Sequence, residues 1–274
     1  MFRDPIFSNS QQAADVKPAW LELGFKFGNK GTHTSRTIML DDLSSLLRQC
    51  PATAARSDYV RALVVENCLG KQTLSTRKLT LQRLKELYGL DPVVPIFRLL
   101  RVFWDADEKA HPQLALLAAL ARDPLLRVTA PVIYKMKPDD ELARQQMTDT
   151  LTKAVGGRLN EATLDKVVRN TASSWTQSGH LVGRSRKRRV RISPTSASTA
   201  FALLLGFLMG NRGQNLFQTL FIRALDRGPD ELMILAMGAK RLGFLDMKST
   251  GGLTVISFDC ILSKKEKELS NGAH

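Results

Sequence analysis

Cysteine is scarce in this sequence, and the sites that cysteine builds are therefore restricted. Among 274 residues there are three cysteines, Cys50, Cys68 and Cys260, which are odd in number and far apart. Neither a disulfide framework nor a metal-binding spacing follows from this pattern, and no histidine lies near them in the sequence. We expect reduced, mostly buried thiols and no bound metal.

Recognisable catalytic motifs are missing as well. The sequence has no GxxxxGK[ST], no GxSxG and no HExxH pattern, which would mark phosphate-binding loops, serine hydrolases and zinc proteases. Pro138-Asp139-Asp140-Glu141 hints at a nuclease-like carboxylate cluster, but a helix start explains it better. We interpret Arg122-Asp123-Pro124 likewise as a helix boundary. We expect no enzymatic activity, no cofactor and no small-molecule substrate.

Long hydrophobic runs are also lacking. The most apolar segment, Ala200–Met209, has ten residues, half of the roughly 20 that a membrane-spanning helix needs. A polar turn follows at residues 211–215, which favours two buried core helices over a membrane span. The first 17 residues show no charged-then-apolar signal pattern. These features predict a cytoplasmic protein with no membrane partner.

Acidic residues are outnumbered by basic ones. The chain has 40 lysines and arginines against 26 aspartates and glutamates, a formal charge of +14. Between Leu151 and Arg191 there are ten basic residues and two acids, Glu161 and Asp165. Because 43% of the residues are hydrophobic, the chain can form a core. A concentrated basic zone on a folded protein suggests a phosphate backbone or an acidic membrane surface as its partner, and of the two we favour the phosphate backbone.

Apolar spacing and helix boundary signals predict a mostly α fold, multi-helical with winged helix-turn-helix character and one or two small β-hairpins. Helices are expected over residues 38–49, 57–67, 74–88, 92–104, 112–122, 124–136, 139–155, 160–177, 196–210, 214–226 and 229–241, and a strand over 253–258. We expect an irregular N-terminal arm (1–37), an N-terminal helical domain with a helix-turn-helix-like segment (38–137), a winged-helix-like and C-terminal helical domain (138–262) and a polar tail (263–274).

A dense run of basic residues follows the helix predicted at 160–177. Six of the eight residues from Arg184 to Arg191 are basic, and Val190 and Ile192 alternate with arginine as one face of a strand would. Like charges this close repel one another unless water or a polyanion neutralises them. We interpret the run as the wing of a DNA-binding unit, with a solvated basic loop as the alternative. The candidate phosphate contacts are Arg184, Arg186, Lys187, Arg188, Arg189 and Arg191.

The helix predicted at 160–177 has one apolar and one polar face. The apolar face carries Leu164, Val167, Val168, Thr171 and Trp175 at helical spacing. The other face carries side chains suited to phosphate and base-edge hydrogen bonds, and an ordinary surface helix is the alternative. Ser174 and Gln177 lie on this face, and the candidate DNA contacts there are Lys166, Arg169, Asn170 and Ser173.

A second candidate phosphate site lies at residues 66–78, where one helix ends at Gly70 and the next begins. Free N–H groups in the first turn of a helix attract phosphate. The candidate residues are Lys71, Thr73, Ser75, Thr76, Arg77 and Lys78. The alternative, N-capping by Thr73 or Ser75 with a solvated helix face, explains the same residues equally well.

The order of these features resembles the BrxA family of bacterial BREX phage-exclusion systems. Glu66-Asn67-Cys68-Leu69-Gly70-Lys71 followed by Ser75-Thr76-Arg77 is similar to that family's "EN-x-x-GK" and Ser/Arg pattern, and Ala121–Arg127 resembles its "AR-x-x-x-LLR" helix with one intervening residue fewer. The 160–177 helix, Gly179-His180-Leu181 and the Gly252–Phe258 strand follow in the same order. The resemblance covers residues 39–258. This chain departs from the family in its longer N-terminal segment and its arginine-dense wing.

The resemblance implies a small, mostly helical cytoplasmic protein that binds double-stranded DNA and has no enzymatic role of its own. It would act with other BREX proteins, among them a methyltransferase and an ATPase. We therefore expect an accessory protein that binds DNA mainly through phosphate contacts. Two alternatives remain open. One is an RNA-binding factor of antitermination type, since arginine-rich segments also bind RNA, and the other is an assembly scaffold whose basic face docks an acidic protein.

Overall fold

A computed structural model describes residues 16–250 and 253–272 of the chain. Within them the fold is mostly α with two small antiparallel hairpins, as the sequence predicts. The helices are α1 (Pro18–Leu23), α2 (Leu40–Gln49), α3 (Arg56–Val60), α4 (Leu74–Tyr88), α5 (Pro95–Ala106), α6 (His111–Arg122), α7 (Pro124–Lys135), α8 (Arg144–Val155), α9 (Glu161–Gln177), α10 (Ser196–Leu208), α11 (Leu220–Arg223), α12 (Pro229–Arg241) and α13 (Lys264–Asn271). The strands are β1 (Leu181–Val182), β2 (Arg188–Arg189), β3 (Asp246–Thr250) and β4 (Leu253–Ser257). Further helical turns are 3₁₀ at Thr32–Thr34, Glu108–Ala110 and Gly213–Gln218, and π at Arg61–Val65.

The core is organised around α10, which is apolar on every side. Its side chains are buried without interruption from Ala197 to Gly206, and it packs against α5, α6, α11 and α12. A helix that is apolar all round belongs in a protein interior. The prediction that Ala200–Met209 is buried in the core is therefore confirmed. None of the helices in residues 16–250 and 253–272 has the length and apolar character to cross a membrane. Buried hydrophobic side chains from Trp20 to Leu262 form one cluster, so the helical domains expected at 38–137 and 138–262 share a core.

A helix-turn-helix followed by a hairpin occupies the middle of the chain. α8 and α9 are joined by a turn at Gly156 and Gly157, whose φ angles of +57° and +74° favour glycine. β1 and β2 follow α9 and pair antiparallel, with Leu181 opposite Arg189. This is the winged arrangement that the sequence predicts.

The acidic segment before α8 differs from the prediction. The helix start expected at Asp139 is wrong, because α8 begins at Arg144 and Asp139 has a φ of +70°. Residues 139–142 instead run along the outer edge of β2, where the Asp139 N–H donates to the carbonyl of Arg189 at 2.9 Å. The edge of β2 offers backbone partners that the N–H groups of a first helical turn lack.

The irregular arm expected at residues 1–37 is wrong for part of its described length. Pro18 begins α1, where its fixed φ is favourable, and Trp20 and Leu23 are buried. Residues 24–37 are largely irregular, as expected, but their 3₁₀ turn packs against α7 and α9. Residues 1–15 lie outside the described part. From Pro18 onward the segment belongs to the fold.

The polar tail expected at residues 263–274 forms a helix over most of its length. The Ser263 N–H donates to Glu266 Oε2 at 2.8 Å, and Ser263 Oγ accepts from the Glu266 N–H, which is a capping box. Glu266 is buried and accepts from Arg98 Nε at 3.0 Å. The sequence shows only a polar segment here because this partner lies 168 residues earlier.

Two predicted helices are shorter than expected. The one expected at 57–67 divides into α3 and the π-helical turn, which together span residues 56–65. The one expected at 214–226 is a 3₁₀ turn followed by α11. The strand expected at 253–258 is β4, while the predicted Gly251-Gly252 turn lies outside the described residues. α4, α9 and the first hairpin, which carry the candidate residues, lie where predicted.

Candidate nucleic-acid interface

The loop of the first hairpin is a tight turn that projects its side chains outward. Gly183 has a φ of +103°, and a Cβ there would lie 2.1 Å from the carbonyl oxygen of Arg186, so the turn requires glycine. Four arginines of the hairpin and its exit are exposed and form no ion pair within the described residues. We call these the wing arginines: Arg184, Arg186, Arg188 and Arg191.

Arg189 is not one of them, and its prediction as a phosphate contact is corrected. Its side chain is 3% exposed, and Nη2 lies 2.9 Å from the Asp226 carboxylate. Neighbouring residues of a strand face opposite sides, so Arg189 points inward while Arg188 points outward. Asp226 follows α11, well beyond the acid-free stretch 179–203. The sequence around Arg189 therefore does not predict its ion pair with Asp226.

Lys187 is also tied to the fold. Its Nζ donates to Thr176 Oγ1 on α9 at 2.9 Å and to the Gly183 carbonyl at 3.3 Å. Partial burial lowers the pKa of Lys187 below its usual value. The prediction of a freely available phosphate contact is corrected accordingly: Lys187 fastens the hairpin to α9.

His180 anchors the base of the hairpin. The ring is buried, with Nε2 2.7 Å from the Ala224 carbonyl oxygen and Nδ1 2.8 Å from Ser178 Oγ. Burial, assisted by the nearby charge of Arg189, lowers the pKa of His180 to about 3. At neutral pH the ring is therefore uncharged, donating from Nε2 and accepting at Nδ1. β1 begins at the next residue, so this ring helps to position the wing.

α9 exposes one side next to the wing. Asn160 caps it by accepting the Thr163 N–H at 2.8 Å. The predicted apolar face is confirmed, with Val167, Val168, Thr171 and Trp175 buried and Leu164 partly buried. Lys166 and Arg169 are exposed and Ser173 is partly exposed. These three candidates lie on the open side of the helix.

A further face of α9, carrying Asn170, Ser174 and Gln177, is covered by residues 32–40. Asn170 Nδ2 donates to the carbonyl of His33 at 2.9 Å, and Gln177 Oε1 accepts a backbone N–H from the same segment at 3.2 Å. The prediction that Asn170 contacts DNA is corrected, because its amide is used within the fold. The covering segment lies 137 residues earlier in the chain and leaves no mark on the helical pattern.

Asp123, His33 and Ser174 connect this covering segment to α7 and α9. His33 Nδ1 lies 2.9 Å from Asp123 Oδ2, and His33 Nε2 lies 2.8 Å from Ser174 Oγ. The order matches a Ser-His-Asp catalytic arrangement, which sequence spacing does not reveal because Ser174 lies 141 residues from His33. All three side chains are buried, and Ser174 Oγ also accepts the Ile38 N–H at 2.9 Å. In this conformation a substrate cannot reach the hydroxyl, so the chain of contacts is structural.

The Asp123 carboxylate also confirms the predicted helix boundary. It caps α7 by accepting the N–H groups of Leu125 at 3.0 Å and Leu126 at 3.1 Å, and it accepts the Thr32 N–H at 2.6 Å. Burial alone would raise the pKa of Asp123, but adjacent His33 and these hydrogen bonds lower it below its usual value. The carboxylate thus joins the N-terminal segment to α7.

A groove of about 340 Å³ lies between α8, α9 and the hairpin. Four basic side chains line it: Arg144, Arg169, Arg184 and Lys187. Asp165 pairs with two of them, Arg144 and, at 3.1 Å, Arg169 Nε. The carboxylate and both guanidinium groups are about half exposed, so these pairs add little stability and mainly neutralise charge. The lining is basic, with Asp165 limiting its charge.

Arg144 and Asp165 are the residues of this surface that the sequence did not single out. They are 21 residues apart and lie on different helices. The available signal was indirect, since Asp165 is one of two acids between residues 151 and 191.

Comparison with protein families and with curated proteins does not identify this surface. No protein-family model and no curated protein matches this chain. Charge and shape are therefore the basis for assigning a function. Exposed guanidinium groups without carboxylate partners are suited to binding phosphate.

The second candidate site, at the start of α4, is used by the fold. Thr73 caps the helix by accepting the Thr76 N–H at 3.1 Å, and the two Oγ1 atoms lie 2.9 Å apart. The first turn therefore already has a hydrogen-bond acceptor. The structure favours the capping alternative over a phosphate site. The prediction that Thr73 and Thr76 are free to bind phosphate is corrected, because both take part in the cap.

Two basic candidates of that site are engaged as well. Lys71 Nζ lies 2.8 Å from Asp42 Oδ1, and Arg77 donates to two backbone carbonyls at 3.3 and 3.2 Å. Ser75 and Lys78 are exposed. Residues 71–78 do not line the groove beside α9, so the structure does not bring the two candidate sites together.

Proposed function

We propose that this protein is a non-enzymatic, double-stranded DNA-binding protein that contacts DNA mainly through phosphates. The observation that carries the proposal is the set of wing arginines, four exposed guanidinium groups beside a basic groove that have no carboxylate partner in the described part of the chain. A guanidinium group presents paired N–H donors that match phosphate oxygens. Phosphate contacts supply most of the affinity of sequence-independent DNA binding.

α9 and the wing would take different parts of the duplex. The open side of α9 offers Lys166, Arg169 and Ser173, and the major groove is wide enough to admit a helix. The wing arginines would reach the phosphates that flank this groove. Asp165 repels phosphate in the second turn of α9, which leaves the wing as the main source of affinity. Such an interface favours binding to many sequences over selection of one.

We further propose an accessory role in a BREX-type phage-defence system, in the cytoplasm. Its support is the ordered resemblance over residues 39–258, in which the 160–177 helix, Gly179-His180-Leu181 and the Gly252–Phe258 strand follow in the family's order. The proposed partners besides DNA are a methyltransferase and an ATPase of that system. A gene neighbourhood with both enzymes supports this role, and a neighbourhood with neither counts against it.

A salt titration tests the proposed DNA binding. Fluorescence anisotropy with two duplexes of unrelated sequence measures affinity at several salt concentrations. If the wing arginines and Lys166 neutralise about five phosphates, the log–log slope is roughly −4 to −5 for both duplexes. A flat salt response, or tight binding of one sequence alone, would contradict the phosphate-dominated interface.

Competition separates this proposal from the two alternatives. Unlabelled duplex should displace labelled duplex at lower concentration than a structured RNA hairpin does. Preferential displacement by RNA would indicate the antitermination-type factor. A protein partner that stays bound after nuclease treatment and moderate salt, with no binding to either nucleic acid, would indicate the scaffold.

A further inference from the structure

A second cationic surface lies away from the wing, between α1, residues 24–32 and α4. A pocket of about 430 Å³ is lined there by Lys26, Lys30, Arg83, Arg122 and Glu86, among others. Four cationic side chains thus share one carboxylate. The volume is in the range of clefts that bind small molecules.

Arg122 is the unusual member of this pocket. It is 7% exposed and has no carboxylate at ion-pair distance within the described residues. It donates to the backbone carbonyls of Gly24 and, at 3.4 Å, Lys85, and its Nε has no partner. Burial lowers the pKa of Arg122 to about 10, so it stays charged at neutral pH. A buried charge without a counter-charge is costly, and such groups often mark ligand sites.

Lys26 likewise has no carboxylate at ion-pair distance within the described residues. Its Nζ donates to the backbone carbonyl of Glu86 at 2.8 Å rather than to a carboxylate. Burial and the neighbouring charge of Arg122 lower the pKa of Lys26 to about 8, so most of it is protonated at neutral pH. The Glu86 carboxylate is already engaged, by Arg83 Nη1 at 2.8 Å and Thr32 Oγ1 at 3.1 Å. The pocket therefore carries an excess of positive charge.

The pocket also has an apolar side. Leu21, which is 54% exposed, and Phe27 belong to its lining. The Phe27 ring is held in place by Trp20, 5.6 Å between ring centroids, and by the guanidinium of Arg127, 5.2 Å from the ring centroid. A fixed aromatic ring beside a cationic floor suits a ligand with one anionic and one planar part.

We propose that this pocket binds a small phosphate monoester with a planar ring, the chemistry of a mononucleotide. The phosphate lies among the four cations, of which Lys30 has no partner and Arg122 no carboxylate within the described residues, and the ring lies against Leu21 and Phe27. The site goes beyond the proposed DNA binding, because its lining includes no residue of α8, α9 or the wing.

Isothermal titration calorimetry on the full chain, at about 0.15 M salt, tests the site with three probes: adenosine 5′-monophosphate, adenosine and inorganic phosphate. We expect saturable binding of the monophosphate, weaker binding of phosphate and none of adenosine. Lys30→Ala and Arg83→Ala should each weaken binding of the monophosphate by about tenfold or more, since each removes a charged hydrogen-bond donor. Arg48→Ala is the control, because it removes an exposed cation from α2 that does not line the pocket.

Arg122→Met tests the buried cation separately and should abolish binding in a protein that circular dichroism shows to be folded. If that variant does not fold, Lys30→Ala and Arg83→Ala decide the question. Absence of saturable binding by the monophosphate and by phosphate up to roughly 10 mM would overturn the proposal, as would equal weakening by Arg48→Ala. If Lys30→Ala and Arg83→Ala instead weaken duplex binding alone, the pocket belongs to the DNA surface and the proposal fails.

Discussion

Replacing Asp165 by asparagine should tighten DNA binding. The carboxylate pairs with Arg144 and Arg169 beside the groove between α9 and the wing. Asp165→Asn preserves the shape of the side chain, removes one negative charge and releases two guanidinium groups toward solvent. Exposed pairs of this kind contribute at most about 1 kcal/mol of stability, so the melting temperature should change little.

The size of the gain follows from the number of phosphates contacted. Each new phosphate contact steepens the log–log salt slope by roughly 0.9, and at about 0.1 M salt this corresponds to roughly eightfold in affinity. The two released arginines should therefore steepen the slope by roughly 1 to 2. We expect binding to tighten by roughly eightfold if one arginine gains a phosphate contact and by roughly 60-fold if both do, at that salt concentration.

Duplex-binding anisotropy at several salt concentrations measures this effect. Glu161→Gln is the matched control, because it removes one exposed acid from the first turn of α9 without releasing an arginine. It should tighten binding less than Asp165→Asn and leave the slope nearly unchanged. If Asp165→Asn binds no more tightly than the parent, Arg144 and Arg169 do not face DNA and the groove is not part of the interface.

Three further substitutions separate the structural support of the wing from its charge. Arg189→Ala leaves the partly exposed Asp226 without its partner and should lower the free energy of unfolding by about 1 to 3 kcal/mol; an unchanged denaturation midpoint would contradict a structural role. Gly183→Ala places a Cβ 2.1 Å from the carbonyl oxygen of Arg186 and should weaken duplex binding by disturbing the turn, whereas parent-like affinity would show that the turn geometry is not needed. The pKa of His180 is lowered to about 3 in the fold, so between pH 6.5 and 4.5 the unfolded chain takes up a proton that the folded protein does not. The free energy of unfolding should therefore decrease as the pH is lowered, by up to about 1.4 kcal/mol per pH unit. Denaturation of His180→Gln at both pH values should show a smaller fall, and an equal fall would exclude His180 as its source.

The α9–hairpin unit could be predicted from the sequence because its signals are local. The apolar spacing from Leu164 to Trp175 marks the buried face of α9, and Arg184–Arg191 mark the hairpin that follows. The length of Ala200–Met209 likewise identifies a core helix. Each of these features depends on residues within about 20 positions of one another, where helical and strand periodicity apply.

Partners from distant parts of the chain could not be predicted. Arg189, Asn170 and Glu266 are polar residues whose sequence neighbourhoods offer no partner, yet each is bound within the fold. Residues 139–141 show a different kind of error. Their local pattern predicts the start of a helix, but in the structure they pair with the edge of β2. The sequence pattern therefore predicted more DNA contacts than the structure leaves available at the candidate interface. The exposed or partly exposed candidates that remain, with Lys187 set aside because it is bound within the fold, are the wing arginines, Lys166, Arg169 and Ser173.

The wing arginines are the most direct place to test DNA binding. The variant replaces three of them together, Arg184→Ala, Arg186→Ala and Arg188→Ala. A control with the same loss of charge replaces three exposed cations on α12, β3 and α13, namely Arg241→Ala, Lys248→Ala and Lys264→Ala. Both proteins should melt close to the parent, because exposed substitutions outside caps and cores usually cost under about 0.5 kcal/mol.

The deciding measurement is the salt dependence of duplex binding by the parent and these two variants. We expect the wing variant to bind weakly at every salt concentration, with a log–log slope shallower by roughly 2.7 for three lost phosphate contacts. The control should keep a slope close to the parent's. Parent-like binding by the wing variant, or equal weakening of both variants, would contradict a DNA interface at the wing.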